Sequence, residues 1–434
     1  MASSSALSRP PAATGLDVRT FRALTYQNAD PDRLARVSSP AYDLVSVDGR
    51  ERLAAADPHN IVRLILPHVE PGAGDPDRGG GRTSAEQAAH TLDVWRAEGV
   101  LTRSAQPALW RYEMTGPGTV ATTGWLGAVA LPAPGSDAVL PHEDTFAGAV
   151  EGRRALLAAT RTDLEPIVLA HDPDDEVAEL TRMTGTAAPT MEVSDVDGVT
   201  HRLWQVTDPE VVARLSGGLA RTGAVIADGH HRFAAARAHQ GSGAPDSDSI
   251  LALLTPMGAG GLRVQAIHRV LPELSLEDAV AGARRGFAEC RELPAADGLT
   301  AAIASWIDAP AGGGFLLTDG VSLVALDRPT PETLARVPAG QPAPWRGLDV
   351  VLAHHGLISG LWQRTDDLSS VLVAHDVPAA VHMARAQHGV ALLLRSPSPA
   401  DVAAVARAGA RMPRKSTLFV PKPRTGLVLR PHRG

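Results

Sequence analysis

Apolar residues come in short bursts along this chain, and the spacing within each burst predicts its element. Alternating apolar and polar positions predict strands over 109–113 and 123–131, joined by a Gly-Pro hairpin at 115–119. A second alternating pair, MEVSDVDGVTHRLWQV (191–206), turns at Asp197-Gly198, a strong hairpin signal. Unbroken apolar runs predict strands over 165–170, 224–227 and 249–255, followed by another over 262–270. HNIVRLILP predicts a strand over 61–66, closed by Pro67. Helices are expected over 84–101, with Ser84 as N-cap and Gln87 completing a capping box, and over 152–160, 172–180 and 209–219, the last capped by Asp208. A Gly/Pro/Asp-rich loop covers 70–82.

From about Leu271 the texture shifts to shorter pieces. These are strands over 315–317 and 321–326, the amphipathic helix DVVLAHHGLISGLW, the run GVALLLR and a helix over 399–410. Strands and helices mix without regular βαβ alternation, so the expected class is α+β with a mixed sheet. The expected organisation is a disordered tail over 1–17, a first region over 18–270 and a C-terminal α+β region over 271–434, a candidate to complete the site.

Composition narrows this picture only a little. A chain of 434 residues with 44% apolar and 21% charged residues is an ordinary globular protein with room for two domains. A net charge of -7 argues against a general nucleic-acid binder. The single Cys290 excludes an internal disulfide framework and any multi-cysteine metal site. No apolar run approaches the roughly 18 residues of a membrane span, and MASSSALSRPPAATG lacks the regions of a secretory signal. A soluble cytoplasmic protein is the expectation.

Candidate chemistry concentrates in a few loops. In GAVIADGHHRFAAARAHQ (223–240) an apolar strand stops at Asp228-Gly229, and His230, His231 and Arg232 open a helix. Gly229 permits backbone angles or a close ligand approach that a Cβ would obstruct. The helix start offers unpaired N–H groups and a positive dipole end. A cation is disfavoured there, so Arg232 makes sense if it faces an anion such as a phosphate. Asp228 then suits a metal ion, the orientation of a histidine or acceptance of a hydroxyl proton. The same residues also suit a plain helix cap with hydrogen-bonded histidines, and the pattern alone does not decide.

Three further groups stand out. His142-Glu143 in VLPHEDTF suits a base or metal site, or a solvated loop. Asp43, after Tyr42, is joined by Asn60 and Arg63 as candidate substrate contacts, although each alone reads as turn chemistry. Lys415, Ser416 and Lys422 in RKSTLFVPK suit phosphate, or a basic terminal strand solvated on one face. His354-His355 reads as structural. No Walker loop, GxGxxG after a strand, GxSxG elbow or His-Glu-x-x-His spacing occurs, which argues against zinc and against the common nucleotide cradles.

Taken together, SSPAYDLVS, DPHNIVRLILP, VWRAEGVL, VLPHEDTF, LLAATRTDLEPIV, IADGHHRFAAA and MPRKSTLFVPKPRTGLV resemble the prokaryotic family called domain of unknown function 1015, nearly end to end. Ala41 stands where that family usually has a second proline, and Phe233 where it usually has tyrosine. The Asp-Gly-His-His-Arg turn is also similar to the signature of the ParB/sulfiredoxin-like superfamily. That superfamily includes CTP-hydrolysing partition proteins, ATP-using sulfiredoxins and kinases of free L-serine. This second resemblance implies a nucleotide-binding core over 18–270, with ATP or ADP and Mg2+ as cofactors. It also implies that Asp228, His230, His231 and Arg232 form the phosphate and catalytic turn, with Gly229 at its bend. Glu143 is assigned by chemistry as the acid acting on a substrate hydroxyl, with His142 beside it. A small-molecule kinase is the leading expectation, its partners a nucleotide and a hydroxyl-bearing metabolite. The alternatives are a nucleotide-binding switch acting on a partner protein and a phosphatase.

Overall fold

The computed structural model describes residues 15–68, 83–296, 298–309, 314–365, 367 and 370–432. Most of the expected N-terminal tail and all of the 70–82 loop lie outside them. Where the described chain begins, Leu16 is already buried and its N–H donates to the Leu219 carbonyl, so the core starts earlier than the sequence pattern places it. The chain forms two compact units, residues 1–262 with 421–434, and residues 263–420. The second unit is thus an insertion, and the chain returns to the first for its last stretch.

The first unit is built on a nine-stranded mixed sheet. Its strands are β1 (Val18–Arg19), β2 (Leu109–Thr115), β3 (Thr122–Ala130), β4 (Val139–Leu140), β5 (Ile167–His171), β6 (Met191–Ser194), β7 (Thr200–Val206), β8 (Ala224–Asp228) and β9 (Ser249–Pro256). They run in the order β4-β8-β5-β9-β3-β2-β7-β6, with β1 added to β3. The pairs β4–β8 and β5–β9 are parallel and the others antiparallel. This is α+β, as the irregular alternation of elements predicts. The unbroken apolar runs became the central strands β5, β8 and β9, covered on both faces.

Helices α1 (Ser84–Ala97), α2 (Ala147–Thr160), α3 (Pro209–Leu219) and α4 (His230–Gln240) flank the sheet. α2 packs on both α1 and α4. A core of Leu109, Trp125, Leu169, Leu215, Ile226, Phe233 and Leu254 joins the sheet to α3 and α4. Each such side chain contributes about 1.5–3 kcal/mol by leaving water. Helix α1 is capped by Thr83 with Glu86 in a reciprocal box, one residue ahead of the expected Ser84–Gln87 pair. The expected strand over 61–66 is a short helix, Val62–Ile65. Asn60 sets it: its side-chain oxygen accepts from the Val62 N–H at 2.9 Å and bends the chain out of extended geometry.

The second unit has a six-stranded antiparallel sheet: β10 (His268–Leu271), β11 (Phe287–Glu292), β12 (Gly314–Thr318), β13 (Leu323–Pro329), β14 (Leu372–Ala374) and β15 (Val390–Leu393), in the order β11-β13-β12-β15-β10-β14. Its core gathers Val270, Ile303, Trp306, Leu316 and Leu393. His354 is structural, accepting from buried Arg269 Nε at 3.0 Å in a π-helical stretch, Ala353–Leu361. Among the described residues no helix is long and apolar enough to cross a membrane.

Candidate functional site

The site forms where β8 gives way to α4. Gly229 occupies the N-cap position with φ +93°, a left-handed conformation that glycine adopts at no steric cost. A Cβ there would lie 2.8 Å from Ile167 Cγ2 and 3.1 Å from Arg232 Nε, so space as well as angle demands glycine. No side chain caps the helix, unlike α1 and α3. The positive end of the helix dipole at this turn therefore has no N-cap side chain against it.

Arg232 has partners within the protein as well: Nη2 donates to Asp228, four residues back, and Nη1 donates to the Pro166 carbonyl at 2.7 Å. Lys422 arrives from the C-terminal segment and places Nζ 2.8 Å from the other Asp228 oxygen and 2.5 Å from Asp43 Oδ2. Burial pushes the Asp228 carboxyl up, but Arg232 and Lys422 outweigh it and hold the group below its ordinary value. Burial likewise opposes charge on Lys422, and Asp228 with Asp43 reverses that, keeping the ammonium charged. Tyr42 lies under two guanidiniums, Arg153 at 3.7 Å and Arg232 at 5.5 Å from its ring centre.

The VLPHEDTF loop docks on the same turn. The His142 N–H donates to His230 Nε2 at 3.2 Å, and the two rings meet edge to face at 4.6 Å. His142 is itself buried, with Nδ1 2.7 Å from the Ile226 carbonyl and Nε2 3.9 Å from Glu143. The Phe146 N–H donates to His231 Nε2 at 3.2 Å, and the Phe146 ring stacks on His231 while staying 64% exposed. Phe146 also precedes α2, which has no side-chain cap either. The loop thus anchors on both histidines and brings a second uncapped helix start to the turn.

Of the sequence candidates, the structure brings together Asp43, His142, Glu143, Asp228, Gly229, His230, His231, Arg232 and Lys422. Asn60 and Arg63 are engaged elsewhere. The Asn60 amide donates to the Arg36 and Ser38 carbonyls at 2.7 and 3.3 Å, and Arg63 Nη2 donates to the Ala54 carbonyl at 2.7 Å. Lys415 and Ser416 belong to the second unit, where the Ser416 hydroxyl bonds the Pro413 carbonyl and Lys415 holds a left-handed backbone at φ 53°. The alternative, a basic strand solvated on one face, agrees with Thr417–Val420, whose residues alternate buried and half-buried after the exposed Arg414 and Lys415.

Sequence reasoning missed Glu165 and Arg153. Glu165 is 5% exposed, and its Oε1 accepts from the Tyr42 N–H at 3.1 Å and the Thr425 hydroxyl at 3.0 Å. The one signal was its place in LLAATRTDLEPIV, two residues before β5.

The donor set does not fit a resident metal ion. Among the described residues no group of three or more His, Cys, Asp or Glu could hold one, and both Asp228 oxygens face cations.

The structure therefore defines an α+β protein with a glycine-bent strand-to-helix turn, flanked by acids, histidines and two half-buried cations. The chain belongs to the family described as protein of unknown function (DUF1015), whose model matches residues 18–351, in agreement with the resemblance of its sequence segments. No curated protein matches it. Among solved structures it is similar to SbnI with a C-terminal truncation from Staphylococcus aureus, at 12% identity and TM-score 0.34, over 68% of this chain and 82% of that one. It is also similar to a free serine kinase in complex with AMP, at 16% identity and TM-score 0.31, over 65% and 84%, and to a mutant of a free serine kinase in complex with ADP, at 15% and 0.31 over the same shares. A conserved hypothetical protein from Pyrococcus furiosus gives 15% and 0.29, over 65% and 88%.

Proposed function

We propose that the first unit binds the phosphates of ATP or ADP at the Gly229 turn and transfers the terminal phosphoryl group to the hydroxyl of a small metabolite, L-serine being the first to try. The observation that carries this reading is the start of α4, uncapped, glycine-bent and flanked by Arg232 and Lys422. Uncapped helix N-termini beside cations suit phosphate oxygens. Phosphoryl transfer asks chiefly for positioning and charge neutralisation, which this arrangement supplies.

In the proposed step the acceptor oxygen forms a bond to the terminal phosphorus as the bond to the bridging oxygen breaks. The acceptor proton passes to Glu143, and the leaving nucleotide keeps the bond electrons. Lys422 and Arg232 answer the charge on the phosphates, while Asp228 is a positioning residue that holds both cations in place. His230 and His231 fix the loop that carries Glu143. Nucleoside phosphates with magnesium and a pool of hydroxyl-bearing amino acids, followed by phosphorus NMR, test the reading. A new phosphomonoester that needs both nucleotide and acceptor, and that Glu143→Gln abolishes, supports it. Nucleotide consumed without an acceptor product would favour a hydrolysing switch, and phosphate released without nucleotide a phosphatase.

A further inference from the structure

Beside the turn, between α2, α4 and the residues leading into β5, lies a recess of about 50 Å³ bordered by Arg153, Thr162, Glu165, Arg232, Ala235 and Ile250. At roughly 10–15 Å³ per water it has room for three or four waters, too few for a nucleotide and enough for a small polar head group. Its charged groups are incompletely used. Arg232 Nε is buried and has no hydrogen-bond partner among the described residues. Glu165 commits Oε1 to Tyr42 and Thr425, and among the described residues nothing donates to its Oε2. Arg153 donates from Nη1 to the Ile65 carbonyl and lies over Tyr42. Asp163 also borders the recess, but its carboxylate is taken by Arg430 and the Leu251 N–H. A buried carboxylate and two guanidiniums facing one small space match a ligand that carries both charges.

We infer that this recess holds the head group of a free α-amino acid, its ammonium against Glu165 and its carboxylate against Arg232 and Arg153. Resting on the phosphotransfer reading, this makes the acceptor a zwitterionic hydroxy amino acid. Arg232 links the two halves of the site, since the guanidinium that pairs Asp228 at the turn also borders the recess.

The test is calorimetric titration of the full chain, without nucleotide, with L-serine, L-threonine and L-homoserine. Serinamide (no carboxylate) and N-acetylserine (no ammonium) serve as controls. At least one free amino acid should bind saturably, and the capped forms at least about tenfold more weakly, as expected for lost hydrogen bonds to charged groups. Glu165→Gln should lower that affinity by a similar factor. Ala235→Leu, which fills the recess and leaves every charge in place, should abolish binding and decides the matter if Glu165→Gln does not fold. No binding by any of the free amino acids, equal binding of the capped forms, or wild-type affinity in Ala235→Leu would each overturn the inference. ADP titrated into the same protein reads the turn separately. Amino-acid binding without ADP binding would leave the recess standing and sink the nucleotide reading, and the reverse result would sink the recess alone.

Discussion

The C-terminal segment delivers two cations to two acids of the first unit, buried Asp163 and half-buried Asp228, and the two clusters are finished differently. Around Asp163 the demand is met: Oδ2 accepts from Arg430 at 2.6 Å and the Leu251 N–H at 2.9 Å, and Oδ1 faces His432 at 3.5 Å. Arg430 spends its remaining reach on the Ser249 hydroxyl at 2.5 Å and the Asp246 carbonyl at 2.9 Å. Around Asp228, Lys422 reaches two carboxylates, one of them the 40% exposed Asp43, while Arg232 keeps Nε unpartnered. The first cluster fastens the chain. The second leaves Arg232 Nε unpartnered and shares one lysine between two acids, the arrangement on which the phosphate-binding proposal rests.

Substitutions can sharpen this contrast. Arg430→Met leaves a buried carboxylate without its cation and should cost about 3–5 kcal/mol, read as a lower denaturation midpoint. Gly229→Ala forces a left-handed alanine against Ile167 and should cost about 1–3 kcal/mol while weakening ADP binding in titration. Lys422→Met leaves Asp228 paired with Arg232, so stability should fall by only about 1–2 kcal/mol. Its turnover with nucleotide and acceptor should drop about 10²–10³-fold, as for loss of one preorganised charge-stabilising donor. Equal stability losses in Arg430→Met and Lys422→Met would erase the distinction between fastener and site.

The smallest effect is in acid. Burial pushes both Asp163 and Asp228 up, yet Arg430 and His432 in one case, and Arg232 and Lys422 in the other, hold them below the ordinary value. Their unfolded counterparts take up protons first as the pH falls past about 4. This contribution to stability is therefore complete above that pH and is lost as the pH drops through the folded values. Melting temperatures between pH 6 and 2.5 should fall at the acid end, and Asp163→Asn should flatten the fall.

The turn was legible because its members are consecutive: Asp228 to Arg232 span five residues, so local chemistry announces itself. Lys422 was legible as a cation but not as the partner of an acid 194 residues away. That the Arg232 side chain also folds back on Asp228 was not legible, because spacing alone does not fix a side chain's direction. Glu165 went unread because a single acid before an apolar run carries no periodic signal, and its burial is decided by Tyr42 and Thr425 from distant segments. The helix over Val62–Ile65 was misread for a similar reason, since one Asn side chain outweighed the extended look of an apolar run.

The late return of the chain sets an order of manufacture. Lys422, Arg424 and Arg430 leave the ribosome only after the whole inserted unit, residues 263–420, has been made. Until then Asp228 and Asp163 lack these partners, and the Ser38 hydroxyl lacks the Arg424 Nε that meets it at 2.6 Å. A nascent chain halted anywhere in the insertion carries the turn without its lysine. The cluster is thereby assembled last, and a protein interrupted during synthesis would hold the turn and its docked loop without the lysine that joins Asp228 to Asp43.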